Sequence, residues 1–148
     1  MKPTEQEEID RLLGKAQPEM QRGGPPAYLA PMYVRLSAAR ALGERATLTQ
    51  PQIAALLRAA LSDAEDEVRK AAFAAIIQRC EPLREIMLLV LTQDADEDTR
   101  ELALDEALKL GDDCHDLVLK IASVLSSDRV PHLSERAAKV LALHGAQR

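Results

Sequence analysis

Carboxylates at alternating positions in Asp94-Ala95-Asp96-Glu97-Asp98 match the opening of a twelve-residue calcium loop, and Asp105 falls at its twelfth place. The sixth place needs glycine for the loop's sharp turn and is Thr99, while Leu102 and Leu104 continue a helical pattern. Capping of a helix is the expected role. Asp112-Asp113-Cys114-His115-Asp116 gathers potential metal ligands, and Asp112 would share a helix face with His115 or Asp116. No second His or Cys pair lies at a recognisable zinc spacing, and His132 and His144 are isolated along the chain. No metal is expected there, and Asp112 or Asp113 is read as a helix cap.

Nucleophilic chemistry finds no better footing. Ser123, Ser126 and Ser127 lie at a predicted helix end without nucleophile-elbow glycines or a Ser/His/Asp constellation. Gly23-Gly24-Pro25-Pro26 lacks the lysine and following helix of a phosphate loop. Cys80 and Cys114 form no metal or redox spacing and are read as two reduced thiols. No catalytic residue, cofactor or metal ligand is assigned, and a non-enzyme is expected.

These residues must be positioned by helices. The chain has 148 residues, 47% apolar and 29% charged, enough to bury a continuous core. Ala (24) and Leu (23) dominate, whereas Trp is absent, Tyr occurs twice and Phe once, which favours an all-α fold over a β-rich one. The amino-terminal stretch carries acids where a secretory signal would be apolar, and no window is long enough to span a bilayer. A cytoplasmic protein with no membrane partner is the expectation.

A period is visible. Val34-Arg35 to Leu42, Val68-Arg69 to Ile76 and Thr99-Arg100 to Leu108 share an arginine, a small residue three later and an apolar patch beyond; a looser copy runs from Ser134 to Leu141. Acidic stretches precede the second and third copies, supplying negative charge at a helix start, and Ser62 with Glu65 forms a capping-box pattern. Other amphipathic stretches alternate with these units. The spacing predicts about eight helices in four antiparallel pairs: 4–16 with 28–43, 50–61 with 65–80, 82–92 with 97–110, and 113–126 with 131–144. Residues 1–148 are read as a single domain, with 17–27 an irregular Gly/Pro-rich connection inside the first pair.

Acidic residues followed by Val-Arg, then Ala, then an apolar pair, on the second helix of a hairpin, resemble the HEAT-like repeat, with the best match from Asp63 to Ile76. The resemblance covers most of the chain and implies a short α-solenoid whose second helices line a concave, partner-binding face. It also implies that Arg35, Arg69 and Arg100 bracket neighbouring units, with Asp66 and Asp98 as acids that could hold them. In some HEAT-like proteins the face grips nucleic acid, and others serve as lyases or chaperones for chromophore attachment; both stand as alternatives to a protein-binding scaffold.

On the second helices, positions off the core are Leu36, Arg40 and Glu44, then Lys70, Ala74 and Gln78, then Glu101, Asp105 and Lys109. Arg40, Lys70, Gln78, Glu101, Asp105 and Lys109 are the expected partner-binding residues. Phe73 and Ile77, four apart, are read as packing. Between 94 and 116 ten acids face only Arg100 and Lys109, so a protein partner with a basic surface is expected there and nucleic acid is disfavoured, although Arg35, Arg40, Arg45 and Arg58 could form a small basic patch. A homodimer through 113–126 or 131–144 is a further expectation.

Overall fold

Thr4 opens the first helix with a reciprocal cap: its hydroxyl accepts from the Glu7 N–H at 3.2 Å, and the Glu7 carboxylate accepts from the Thr4 N–H at 3.4 Å. The computed structural model describes residues 4–14 and 30–145, and among these every regular element is helical. They are α1 (Glu5–Leu12), α2 (Ala30–Gly43), α3 (Gln50–Ser62), α4 (Asp66–Arg79), α5 (Arg84–Leu91), α6 (Glu97–Lys109), α7 (His115–Leu125) and α8 (Pro131–Gly145). Short 3-10 turns, Glu81–Leu83 and Asp112–Cys114, lead into α5 and α7. The expected Gly/Pro-rich connection at 17–27 lies outside the described residues.

The chain divides into two compact units, Met1–Cys80 and Glu81–Arg148. In the first, α1 packs on α2 and α3, and α4 packs on both α2 and α3. Thr49, capping α3 with Gln52, also donates its hydroxyl to Glu5 at the start of α1 at 3.0 Å, so the starts of these two helices adjoin. At the other end Arg79 Nε donates to the Gly43 carbonyl at 3.0 Å, which aligns α2 with α4 and supplies a donor to an orphan carbonyl at the end of α2.

Small residues set that spacing. A Cβ on Gly43 would stand 3.4 Å from the Ala75 Cβ, so alanine and glycine let α2 and α4 approach closely. Val68, Ala72, Phe73, Ala75, Ile76 and Ile77 of α4 are all buried, so apolar residues occupy most of that helix's circumference. Burial of each large side chain among them contributes roughly 1.5–3 kcal/mol.

The second unit repeats the plan. Helix α5 packs on α6 and α7, and α8 packs on α6 and α7. Leu88, Leu91, Leu104, Ile121, Leu125 and Leu133 are fully buried at its centre. Beyond the C-cap of α6, Leu110, the chain turns at Gly111, whose φ of +84° is the left-handed backbone that glycine adopts without penalty.

The capping expectations hold at one place and fail at two. Asp96 caps α6, accepting from the Thr99 N–H at 2.8 Å. Ser62 is instead the last residue of α3, and Glu65 precedes α4 without a side-chain cap bond. Asp63 organises that turn by accepting from the Glu65 N–H at 3.0 Å. Asp112 and Asp113 do not cap α7 either, because the 3-10 turn places Cys114 at its start, with no side-chain cap bond.

Candidate functional site

An aspartate shapes each of three inter-helix turns. Asp63, Asp94 and Asp128 accept from the backbone N–H two residues on, in Glu65, Asp96 and Val130, at 3.0, 2.9 and 3.0 Å. The arginine six residues after the first two of these turns back over its own loop. Arg69 donates to the carbonyls of Asp63 and Ala64 at 3.1 and 3.3 Å, and Arg100 donates to those of Asp94 and Ala95 at 3.0 and 3.1 Å.

In Arg35 and Arg100, two nitrogens of the fork reach the aspartate of an inter-helix turn further along the chain. Arg100 binds Asp128 with two bonds of 2.8 and 3.2 Å, and Arg35 binds Asp63 with the same pair of distances; each spans 28 residues. The Arg100–Asp128 side chains are 7% and 8% exposed, against 17% and 7% for Arg35–Asp63. The Arg100 bond holds the Asp128 carboxyl below the usual carboxylate range, with burial opposing it and the Val130 N–H assisting. Arg100 is correspondingly raised by Asp128 against the cost of burial.

The acids that hold Arg35 and Arg100 are therefore turn residues. Asp66 lies in the first turn of α4, 3.9 Å from Lys70, and Asp98 is exposed in the first turn of α6. There they complement the positive end of each helix, while the turn residues Asp63 and Asp128 face the guanidinium groups. The missed signal is the Asp at 63, 94 and 128, just outside the Val-Arg-Ala segments.

The expected partner-binding residues separate into two groups. Arg40 is exposed, and Lys109 is exposed with a 3.2 Å bond to the buried Glu106. Lys70 and Gln78 are half-buried, and Lys70 pairs with Glu67 at 2.9 Å. Glu101 and Asp105, by contrast, are both engaged by Arg136 of α8 at 2.6 Å. Burial disfavours charge on Arg136, yet these two carboxylates hold its pKa above the ordinary guanidinium value. The acidic face of α6 is thus partly neutralised from within its own unit. In the first unit Arg45 pairs with Glu8 and Arg35 with Asp63, while Arg40 and Arg58 of the basic patch form no ion pair among the described residues. Phe73 and Ile77 are core residues, 2% and 0% exposed.

Two open clefts occupy equivalent places beside the turns. One, of about 410 Å³, lies among Leu12, Gly14, Arg35, Arg58 and Asp63; the other, of about 420 Å³, lies among Thr92, Asp94, Arg100, Val124, Asp128 and Arg129. Neither is lined by a histidine or cysteine, and each arginine fork that floors a cleft is occupied by its aspartate.

His144 is isolated in sequence but not in space. Its ring centroid lies 5.8 Å from that of His115, at an interplanar angle of 42°, joining the last turn of α8 to the start of α7. His115 Nε2 is buried without a hydrogen-bond partner. Among the described residues no third His, Cys, Asp or Glu completes a cluster of metal-binding geometry, and no helix is long and apolar enough to cross a membrane. Comparison with protein-family models, curated proteins and solved structures finds no match, so the functional reading rests on the chain's own geometry.

Proposed function

We propose that this chain is a HEAT-like helical repeat module acting as a non-catalytic scaffold that binds another protein on its second-helix face. The observation that carries the reading is the recurring arginine bracket, Arg35 to Asp63 and Arg100 to Asp128, at the same separation and with the same two-bond geometry in each unit. A device that ties one hairpin's arginine to the next hairpin's turn supports a stacked-repeat architecture, in which each hairpin is completed by its neighbour. Such an architecture frees the outward positions of α2, α4 and α6 to vary without affecting the core.

Charge supports a basic partner for the second unit. Arg136 offsets Glu101 and Asp105, while Glu97, Asp98, Asp112, Asp113 and Asp116 remain exposed. Arg40, Lys70, Gln78 and Lys109 supply the other contacts.

The test is affinity capture from the source organism with wild type and two charge-reversed variants, Arg40→Glu/Lys109→Glu and Asp112→Lys/Asp113→Lys, with helicity followed by circular dichroism. Loss of one captured protein at unchanged helicity is expected. Equal recovery by all three chains would sink the proposed surface, and a salt-sensitive shift with duplex DNA would move the partner to nucleic acid.

A further inference from the structure

His115 and His144 belong to different helices, yet their rings stand 5.8 Å apart, centroid to centroid. Imidazole nitrogen binds zinc at about 2.0–2.1 Å, which puts a ring centroid about 3.2 Å from the metal. Two such rings meeting at a tetrahedral to trigonal angle have centroids roughly 5–5.5 Å apart. The observed separation of 5.8 Å exceeds that span by about 0.3–0.8 Å.

The second observation is the orphaned atom. Buried polar nitrogens almost always find a partner, and one that does not is explained by strain, chemistry or a missing water or ion. His115 Nε2 is such an atom. We infer that His115 and His144 together bind a borderline divalent transition-metal ion of the Zn²⁺ or Cu²⁺ class through two neutral imidazoles, with water filling the remaining positions. Imidazole suits these ions, whereas calcium and magnesium prefer oxygen. The bound ion ties the last turn of α8 to the start of α7, so occupancy sets the stability of the terminal hairpin. This does not depend on the scaffold reading.

The test uses the full chain, with any affinity-tag histidines removed, titrated calorimetrically with Zn²⁺ at pH 7.5. One equivalent is expected to bind, and saturating Zn²⁺ to raise the melting temperature. His115→Asn and His144→Gln should each weaken binding at least tenfold. His132→Ala, exposed at the first turn of α8, should not alter it. Cu²⁺ bound to wild type should show two-nitrogen hyperfine structure in its electron paramagnetic resonance spectrum, a readout that requires no variant to fold. Absence of binding, binding unchanged in either variant, a one-nitrogen spectrum, or a metal-bridged dimer in light scattering would each overturn the site.

Discussion

Arg100 grips Asp128, 28 residues away, with two nitrogens while a third bonds the carbonyls of Asp94 and Ala95 in its own turn. Three segments of the second unit meet on one side chain. Because both partners of the ion pair are more than nine-tenths shielded, removing one leaves a largely shielded charge without its bonded partner. Arg100→Ala and Asp128→Asn are each expected to lower stability by about 3 kcal/mol, near the lower end for a buried pair because the adjoining cleft is open to water. Urea unfolding at pH 7 measures this, and a loss below about 1 kcal/mol, as for a surface pair, would show that the bracket does not hold the hairpins together.

The same pair fixes the acid response. Asp128's folded pKa is depressed, chiefly by the Arg100 bond, so its stabilisation is fully present above the unfolded value of about 3.9. It is lost as pH falls through the folded value. The stability gap between wild type and Asp128→Asn should therefore be constant from pH 7 to about pH 5 and narrow progressively below about pH 4. A gap that instead narrows between pH 7 and pH 5 would assign the effect to another group.

Arg35 and Asp63 repeat the geometry with a more exposed arginine. Its two bonds, from Nε and a terminal nitrogen, use the planar fork, which a lysine cannot reproduce. Arg35→Lys keeps the charge and is expected to cost about 1.5 kcal/mol, the lower end for one charge-assisted hydrogen bond. Arg35→Ala should cost more, and equal stability of Arg35→Lys and wild type in urea would show that charge alone suffices.

The helices were legible because apolar residues at spacings of three and four mark them and Pro and Gly punctuate them; each described helix lies within a few residues of its predicted range. The arginines were legible as a period, but their partners were not. Charge near a helix start has two outlets, the helix's own positive end and a neighbour's guanidinium, and only three-dimensional placement decides between them. Asp66 and Asp98 took the first, Asp63 and Asp128 the second. Arg136 shows a different blind spot. It sits one position off the register of the other arginines, so the pattern marks it as a degenerate copy, whereas α8 aims it at two carboxylates of α6. The approach of His144 to His115 leaves no mark in spacing, since it depends on where one helix ends against the start of another.

Arg136 gives the last prediction. Glu101 and Asp105 are four apart on α6, a spacing at which like charges repel, and Arg136 bonds both. Its side chain is 37% exposed, with 24% and 41% for the two acids, so water and salt share in screening the trio. Arg136→Ala should cost under about 1 kcal/mol in low salt. The loss should shrink toward zero as NaCl approaches about 1 M, where the screening length falls to about 3 Å. Urea unfolding of wild type and variant across a salt series reads this directly. A penalty that persists unchanged at high salt would mean that Arg136 stabilises through the packing of its aliphatic stem along α6 rather than through its charge.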